Sequence, residues 1–244
     1  MKTPYNFTSY FNGAEFFLDD HRVQGDPVLP GVAYLEMARA ALSQMLPFDD
    51  DTSALEISQV VWVQPVVVPA NTSEAVAVHI ALRPEANDRV AYDIFTGDVD
   101  ATEEGPVVMH SQGLARVVSH DALTKRLDIN SLQARQNEEV RVDDIYQTFA
   151  QNGIAYGPGH RGLRAVKRQY VDGRVTEVFA ELALPEFLQK DPQQAEYGLH
   201  PCIMDSALQA SLALISTIND APLALPFAVD QVRIYGPCPA HAWA

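Results

Sequence analysis

The sequence predicts an α+β fold, and three observations support this prediction. Residues 30–46 are apolar around almost the whole helical circumference, which is typical of a helix enclosed by other structure. Segments rich in Val and Ile follow this helix, separated by Pro, Gly and Asn, and they predict antiparallel strands. A second, very apolar helix is expected over residues 201–218. Buried helices packed against antiparallel strands form an α+β arrangement.

The first half of the chain is expected to contain one helix and four strands. Pro30 and Gly31 open the helix, because a proline at the first helical position presets the backbone angle. The polar side chains of this helix, Glu36, Arg39 and Ser43, fall on one stripe. The strands that follow are expected over residues 56–68, 74–82, 89–95 and 107–118.

The second half begins with a polar segment, residues 119–139, which has no clear strand period and predicts a linker. A short helix over 143–152 is expected to end at Gly153, before strands over 163–170, 175–184 and 228–235. The predicted organisation is an N-terminal unit over 1–120, a linker over 121–140 and a C-terminal unit over 141–244. Both units place a buried helix against strands, which hints at duplication.

Composition excludes several classes of function. The formal net charge of -15 argues against a nucleic-acid surface, which requires clustered Lys and Arg. The sequence has no apolar stretch of membrane-spanning length, and no membrane partner is expected. Cys202 and Cys238 are too few for a disulfide framework and lack the spacing of zinc ligands, so no metal site is expected. We expect a cytoplasmic protein, since no leader peptide is visible.

One basic cluster stands out against this negative charge. It consists of Arg161, Arg164, Lys167 and Arg168, all within eight residues. A solvated face of a strand and a docking surface for an acidic partner are about equally good interpretations.

The first segment with chemical potential is a loop rich in Gly and Pro before the first helix. It contains His21, Gly25, Leu29 and Pro30, and it ends where the N–H groups of the helix start are unpaired. A base beside such donors suits proton abstraction next to a thioester carbonyl, because an enolate-like oxygen develops there. A structural histidine is the alternative, and on this segment alone it is the better interpretation.

The second segment opens the second apolar helix with His200 and Pro201. Asp205 and Gln209 follow four residues apart, hence on one helical face. A carboxyl among apolar neighbours is expected to have a raised pKa, so that it stays protonated and acts as an acid. The alternative is an Asp stabilised by the dipole at a helix start.

The third segment joins the short helix to the next strand, from Tyr156 to Gly162. It contains a literal G-x-G-x-x-G, but dinucleotide binding requires a strand before the glycines and a helix after them, the reverse of the order here. We therefore interpret Gly157 and Pro158 as a tight turn that aims Tyr156 and His160.

In this order the three segments resemble the dehydratase domains of modular polyketide synthases. The family pattern is H-x-x-x-G-x-x-x-x-P, then Y-G-P, then H-P-x-x-x-D-x-x-x-Q. Residues 15–21 and 29–38 resemble the synthases whose acyltransferase acts in trans. The matching positions here are His21, Gly25 and Pro30, then Tyr156, Gly157 and Pro158, then His200, Pro201, Asp205 and Gln209.

The resemblance implies a double hotdog fold, in which each unit wraps an antiparallel sheet around a long central helix and the active site lies between the units. By the same resemblance, His21 abstracts the α-proton and Asp205 protonates the leaving β-hydroxyl. Gln209 would position Asp205, and Tyr156 would bind the hydroxyl. The N–H of Gly31 is our candidate for holding the thioester carbonyl.

The implied activity is that of a hydro-lyase, a dehydratase acting on a 3-hydroxyacyl group carried on an acyl carrier protein. The implied pathway is polyketide biosynthesis, which belongs to secondary metabolism and yields antibiotics. No cofactor would be bound by the domain, since the phosphopantetheine arm of an acyl carrier protein delivers the substrate. Its phosphate could lie near the basic cluster. Neighbouring synthase domains and a second copy in a homodimer are the other implied partners.

Three alternatives accompany this interpretation. A bifunctional domain would dehydrate and then close a pyran ring by oxa-Michael addition. A catalytically silent domain would only dock the carrier protein, although His21, Asp205 and Gln209 argue against it. A double-bond isomerase is less well supported, because such relatives tend to lose the Asp that is present here.

Two departures from the family pattern bear on these expectations. His160 and Arg161 occupy positions where the family usually has an aromatic residue and Gln, which predicts a second titratable group near the site. Complete family domains also have further strands after the segment 228–235. The last strands of the C-terminal unit are therefore expected to be missing.

Overall fold

The computed structural model describes residues 5–46, 52–69, 74–97, 107–119, 127–215 and 225–244. Its helices and strands alternate in an α+β order, as expected. They are β1 (Tyr5–Phe11), α1 (Phe16–Asp19), β2 (His21–Val23), β3 (Asp26–Pro27), α2 (Gly31–Ser43), β4 (Ser53–Trp62), β5 (Val76–Pro84), β6 (Val90–Thr96), β7 (Val108–Ser119), α3 (Ile129–Ala134), β8 (Glu138–Val140), α4 (Val142–Gln151), β9 (Ile154–Tyr156), β10 (Leu163–Val171), β11 (Arg174–Ala183), α5 (Glu186–Gln189), α6 (Pro201–Ala210), β12 (Ala228–Ile234) and β13 (His241–Trp243).

The first core lies between α2 and a six-stranded antiparallel sheet in the order β1-β5-β6-β7-β4-β12. Ala38 and Leu42 of α2 are fully buried, as are Leu55, Ile57 and Leu82 of the sheet. Burial of one fully enclosed aliphatic side chain contributes about 1.5–3 kcal/mol, so this contact is what holds the helix on the sheet.

The second core lies between α6, α4 and a four-stranded sheet in the order β13-β11-β10-β8. Cys202 and Ile203 of α6 pack in one cluster with Ile145 of α4 and with Val166 and Leu182 of the sheet. Two buried helices, each on its own sheet, account for the two apolar helical patterns in the sequence.

A small third sheet joins the two halves, in the order β3-β2-β9. In it, His21 of β2 pairs with Tyr156 of β9. The turn between β2 and β3 needs Gly25, whose φ is 92°, in the left-handed region. Because β2 precedes α2 and β9 follows α4, this sheet brings the first and third sequence motifs together.

The predicted helices and strands are present, but four corrections are needed: two to their bounds, one to the expected linker and one for a strand that was not predicted. The strand expected over 56–68 ends at Trp62, and Pro65, which has no N–H to donate to a sheet, lies three residues beyond it. The helix expected over 201–218 ends at Ala210 and continues as a tighter turn, Ser211–Leu214; residues 216–218 lie outside the described residues.

The other two corrections fall at the chain's start and in the expected linker. The predicted linker contains α3 and β8, because Asp128 caps the helix and β8 pairs with β10; residues 120–126 lie outside the described residues. Strand β1 was not predicted at all. Its burial alternates, with Phe7 and Ser9 half-buried and Thr8 and Tyr10 exposed, but a serine that faces inward and a tyrosine that faces outward hide this alternation in the sequence.

The division into units at residues 121–140 stays a prediction. Strand β12, from the predicted C-terminal unit, pairs with β4 in the first sheet. None of the helices in the described ranges has the length and apolar character needed to span a membrane.

Candidate active site

The three sequence motifs meet at one cavity of about 490 Å³ between the two halves. Its lining includes His21, Gly31, Tyr156, Asp205 and Gln209. They come from β2, the start of α2, β9 and α6. Residues separated by more than 180 positions therefore face one space, as the resemblance implied.

His21 is held in one tautomer by its own loop. Its Nδ1 donates to the carbonyl oxygen of Val28 at 2.7 Å, and a carbonyl can only accept. The proton is therefore on Nδ1, and Nε2 keeps its lone pair. The residues between His21 and Val28 form the β2–β3 turn, so the Gly-rich loop orients the imidazole.

Burial is the largest influence on His21 and lowers its pKa; His160 lowers it further, whereas Asp205 and the Val28 carbonyl act in the opposite direction. The net pKa is below its usual value of 6.5, so the imidazole is neutral near pH 7. A neutral imidazole with a free Nε2 can accept a proton.

Asp205 is fixed by α6 and its neighbours. Its side chain is 9% exposed, and Gln209, one turn later, donates from Nε2 to Asp205 Oδ2 at 2.8 Å. The same Nε2 donates to the carbonyl oxygen of His160 at 3.0 Å. Both partners are acceptors when Asp205 is ionised, so they set the orientation of the Gln209 amide. The contact also confirms that Asp205 and Gln209 share one helical face.

The expectation of a raised pKa for Asp205 is wrong for this structure. Burial does raise it and is the largest single influence, but a hydrogen bond from His160, the nearby His21 and the Gln209 amide together outweigh burial. The net pKa of Asp205 is therefore lowered. The sequence argument considered the apolar neighbours on the helix, whereas the imidazoles come from other elements.

Tyr156 lines the cavity beside His21, with a ring-centroid distance of 5.5 Å. Burial and then the charge of Asp205 raise its pKa, so the hydroxyl stays protonated and can donate a hydrogen bond. Gly31 lies at the first turn of α2, where Trp62 Nε1 donates to its carbonyl oxygen at 2.9 Å. This contact fixes the helix start at the wall of the cavity.

The remaining motif residues divide between the cavity lining and its support. Of the motif residues not yet described, Leu29 lines the cavity and the rest do not. Those that support it from outside are Gly25, Pro30, Gly157, Pro158, His160, His200 and Pro201.

His200 is a helix cap. Its Nδ1 accepts from the N–H of Cys202 at 3.2 Å, and its Nε2 lies 3.0 Å from Gln194 Oε1. Burial, followed by the neighbouring His160, lowers the pKa of His200 to about 4. A neutral ring is required, because protonation would remove the lone pair that caps α6.

Asp20 is a residue that the sequence motifs missed. Its carboxylate accepts from the N–H of Gly159 at 2.6 Å, and its carbonyl oxygen accepts from the N–H of Gly157 at 2.8 Å. A Cβ on Gly157 would lie 1.8 Å from Asp20 Oδ1, so only glycine fits. The glycines of the third motif are therefore needed for a tight turn that packs against Asp20. This turn agrees with the prediction that the motif is not a nucleotide-binding loop.

Glu36 is the second missed residue. It is buried, and its carboxylate accepts from the N–H groups of Gly198 at 3.0 Å and Leu199 at 2.7 Å, directly before α6. Arg39 donates to the same carboxylate at 2.7 and 2.8 Å. The polar stripe on α2 therefore fixes the helix of one half to the helix start of the other.

The basic cluster is not one surface. Arg168 is buried, donates to Glu138 at 2.8 and 3.0 Å and also bonds the carbonyl oxygens of Ala213 and Ile215, so its assignment to a docking patch is wrong. Alternation along β10 turns this side chain inward. Arg161, Arg164 and Lys167 are exposed.

The rest of the cavity is mainly apolar, with Val28, Phe149, Leu208 and Leu212 in its wall. Such a wall suits an alkyl chain, while the polar groups gather at one place. Within the described ranges, no group of three His, Cys, Asp or Glu side chains could hold a metal ion.

Comparison with known proteins agrees with this geometry. The family model described as polyketide synthase dehydratase domain matches residues 2–97, and the one described as polyketide synthase dehydratase N-terminal domain matches residues 124–244. Polyketide synthase PksM of Bacillus subtilis (strain 168) is 37% identical over 249 residues, which is 99% of this chain and 6% of that protein. The chain thus spans a small fraction of the length of the curated relatives that it matches.

Solved structures extend the comparison to the fold. A dehydratase domain of a trans-acyltransferase polyketide synthase from Brevibacillus brevis is 36% identical, with a TM-score of 0.83 over 100% of this chain and 81% of that one. The dehydratase domain of RzxB from Pseudomonas fluorescens is 30% identical, with a TM-score of 0.77 over 98% of this chain and 80% of that one. The fold is the double hotdog of these domains. The chain belongs to the polyketide synthase dehydratase family.

Proposed function

We propose that this domain removes water from a β-hydroxyacyl thioester on an acyl carrier protein and leaves the α,β-unsaturated thioester. One observation supports this proposal above all. A neutral histidine with a free Nε2 and a carboxyl group, brought from opposite halves of the fold, line one largely apolar cavity. Elimination of water needs a base and an acid at neighbouring carbons of one chain.

The reaction follows from these two groups. His21 Nε2 takes the α-proton, and the electron pair of that C–H bond becomes the second bond between the α and β carbons. The Cβ–O bond breaks with its electron pair on oxygen, and Asp205 supplies the proton with which the hydroxyl leaves as water. Gln209 holds the Asp205 carboxyl in place.

Two further groups would bind the substrate's oxygens. The N–H of Gly31, at the positive end of α2, would stabilise the thioester oxygen as negative charge develops. Tyr156, whose hydroxyl stays protonated, would donate to the β-hydroxyl oxygen. No cofactor of the domain takes part, since the substrate arrives on the phosphopantetheine arm.

The partners remain part of the proposal. The exposed Arg161, Arg164 and Lys167 would be the basic side chains available to an acidic carrier protein on a chain whose formal net charge is -15. A homodimer and contacts with neighbouring synthase domains are expected from the family.

Mass spectrometry of a β-hydroxyacyl carrier protein incubated with the domain tests the proposal. We expect loss of one water with the wild type and with the matched control His79→Asn, a histidine of β5 that bonds Thr8 and does not line the cavity. His21→Ala and Asp205→Asn should each slow this loss by about 10²–10⁴-fold.

Two outcomes would change the proposal. No water loss from substrates of either hydroxyl configuration, with a folded protein, would favour the silent carrier-docking domain. A cyclic product, which chromatography separates from the hydroxyalkene of equal mass, would favour the dehydratase that also forms a pyran ring.

A further inference from the structure

His160 is a buried titratable residue that the proposed reaction does not use. It has no exposed surface and does not line the cavity. Its ring centroid lies 6.1 Å from that of Phe16, 6.2 Å from that of Tyr156 and 5.5 Å from that of His21. The imidazole is therefore packed among aromatic rings, and it carries two nitrogens into that packing.

One of these nitrogens is directed at the acid. His160 Nδ1 lies 3.4 Å from Asp205 Oδ2, within hydrogen-bond distance. The Gln209 amide joins the same two residues a second time, because its Nε2 donates to the His160 carbonyl oxygen and to Asp205 Oδ2. The carboxyl and the imidazole are therefore held against each other from two sides.

The other nitrogen has no fixed role. Within the described part of the chain, nothing hydrogen-bonds to His160 Nε2, although the atom is buried. No backbone carbonyl therefore fixes the proton on one nitrogen, as the Val28 carbonyl does for His21. A hydrogen on Nε2 would lack an acceptor there at a cost of about 1–3 kcal/mol, so a pair that carries the extra proton gives it up readily. Nδ1 can donate to an ionised Asp205, or accept from a protonated one while Nε2 carries the hydrogen.

The groups that face Asp205 and His160 have their protonation states set near pH 7, so an exchangeable proton is expected on Asp205 or His160 and not on these neighbours. Burial lowers the pKa of His21 and of His200, so both rings are neutral near pH 7. Burial raises the pKa of Tyr146, Tyr156 and Cys202, the last to about 12, so these groups keep their own protons. Two charged groups lie beside them: Asp20, bonded to the N–H of Gly159, and Arg161, which lies over the Tyr146 ring and donates to the Tyr156 carbonyl oxygen.

We infer that the general acid of this domain is an Asp205–His160 pair that shares one proton, with His160 as a positioning residue that acts through Asp205. The inference rests on the proposed function. Before elimination, the proton lies on Asp205 beside a neutral imidazole, or on His160 beside a carboxylate. When the Cβ–O bond breaks, Asp205 Oδ passes this proton to the oxygen, and the pair is left as carboxylate and neutral imidazole.

The pair then regains a proton from solvent, while His21 releases the one that it took from the α-carbon. No oxidant or other reactant is needed. This arrangement explains how a carboxyl whose pKa is lowered in the free domain can still deliver a proton. The proton is stored on the pair instead of on an isolated acid.

NMR titration of the free domain tests the inference without substrate. With ¹³Cγ-aspartate and ¹⁵N-histidine labels, and Asp205→Asn and His160→Asn to assign the signals, the Asp205 and His160 signals should both report every step in which the pair gains or loses a proton. In His160→Phe, which keeps the aromatic packing, the Asp205 midpoint should move to higher pH. A wild type in which each signal follows a step that the other does not sense, or an unchanged Asp205 midpoint in His160→Phe, would overturn the inference.

Kinetics supply the second arm. His160→Asn places an amide N–H near the position of Nδ1 but cannot share a proton, so kcat should fall by at least about tenfold with KM little changed. Its pH–rate profile should also lose its wild-type form, while the control His79→Asn keeps it. Wild-type kcat and pH profile in His160→Asn would show that position and hydrogen bonding suffice, and would overturn the inference.

Failure of this inference is distinguishable from failure of the proposed function. If the wild type removes no water, the proposed reaction is wrong whatever the titrations show. If the wild type removes water but Asp205 and His160 titrate independently, dehydration stands and the shared proton does not. The wild-type titration decides the matter even if His160→Phe fails to fold.

Discussion

Glu36 should be among the most important polar residues for stability, although it lies outside the cavity. Its carboxylate accepts from the N–H of Gly198, the N–H of Leu199 and two nitrogens of Arg39, at 2.7–3.0 Å. Leu199 is 4% exposed, so its N–H has no access to water if Glu36 is removed. The perturbation is Glu36→Ala.

The expected loss follows from these contacts. Leaving the Leu199 N–H buried and unpaired costs about 1–3 kcal/mol, and the half-buried N–H of Gly198 adds a smaller amount. Arg39, whose side chain is 17% exposed, loses the partner of a largely buried ion pair. Because the exposed part of Arg39 can still be hydrated, this adds about 1–2 kcal/mol, less than the roughly 3–5 kcal/mol of a fully buried pair, and we expect a total loss of about 2–5 kcal/mol.

Urea unfolding followed by circular dichroism measures this free energy, with Glu186→Ala as the matched control. Glu186 pairs with Lys190 at the surface, where the two side chains are 81% and 71% exposed, and the pair contributes at most about 0.5 kcal/mol. Glu36→Gln keeps the shape but leaves one acceptor oxygen for four donors, so it should lose about 1–3 kcal/mol.

A loss below about 1 kcal/mol in Glu36→Ala, no larger than that of the surface control, would refute the reasoning. It would mean that the loop before α6 finds other hydrogen-bond partners. Dehydration should fall together with stability, because the carboxylate fixes the start of the helix that positions Asp205.

Two further predictions concern stability. The pKa of His200 is lowered from 6.5 to about 4 in the folded domain, so the unfolded chain binds a proton first as the pH falls. The free energy of unfolding should therefore drop by up to about 3 kcal/mol between pH 6.5 and pH 4 and change no further from this residue below pH 4. His200→Asn keeps a cap acceptor and should reduce this pH dependence, which unfolding at several pH values measures; an unchanged dependence would assign it to other groups. Gly157→Ala places a Cβ 1.8 Å from Asp20 Oδ1, so the free energy of unfolding should fall by about 1–3 kcal/mol. The displaced turn should also lower kcat. An unchanged melting temperature and rate would contradict this packing.

Much of the fold followed from local sequence. The apolar pattern of α2 and the Val- and Ile-rich segments of β5, β6 and β7 predicted these elements within three residues of their bounds, because such patterns depend on neighbours along the chain. Strand β1 was missed because its alternation uses aromatic and hydroxyl side chains. Strand β8 is three residues long and was hidden in a polar segment, since its pairing with β10 is a long-range contact.

The sequence predicted which residues form the candidate site, but it did not predict how their pKa values are shifted. His21, Asp205, Gln209 and Tyr156 were expected from the motifs, and they line one cavity. The direction of the pKa shift of Asp205 was not, since it depends on an imidazole 45 positions away in the chain.

The sequence by itself determined the two buried helices, the long strands of both halves, the family, and the motif residues that face the cavity. Local spacing and short motifs suffice for these properties, because they depend on residues that are close along the chain. The tertiary structure alone decided which sheet β12 joins, that Glu36 binds an N–H 163 positions away, and that His160 lies against Asp205. Hydrogen bonds and pKa values respond to distance in space, and chain packing sets that distance.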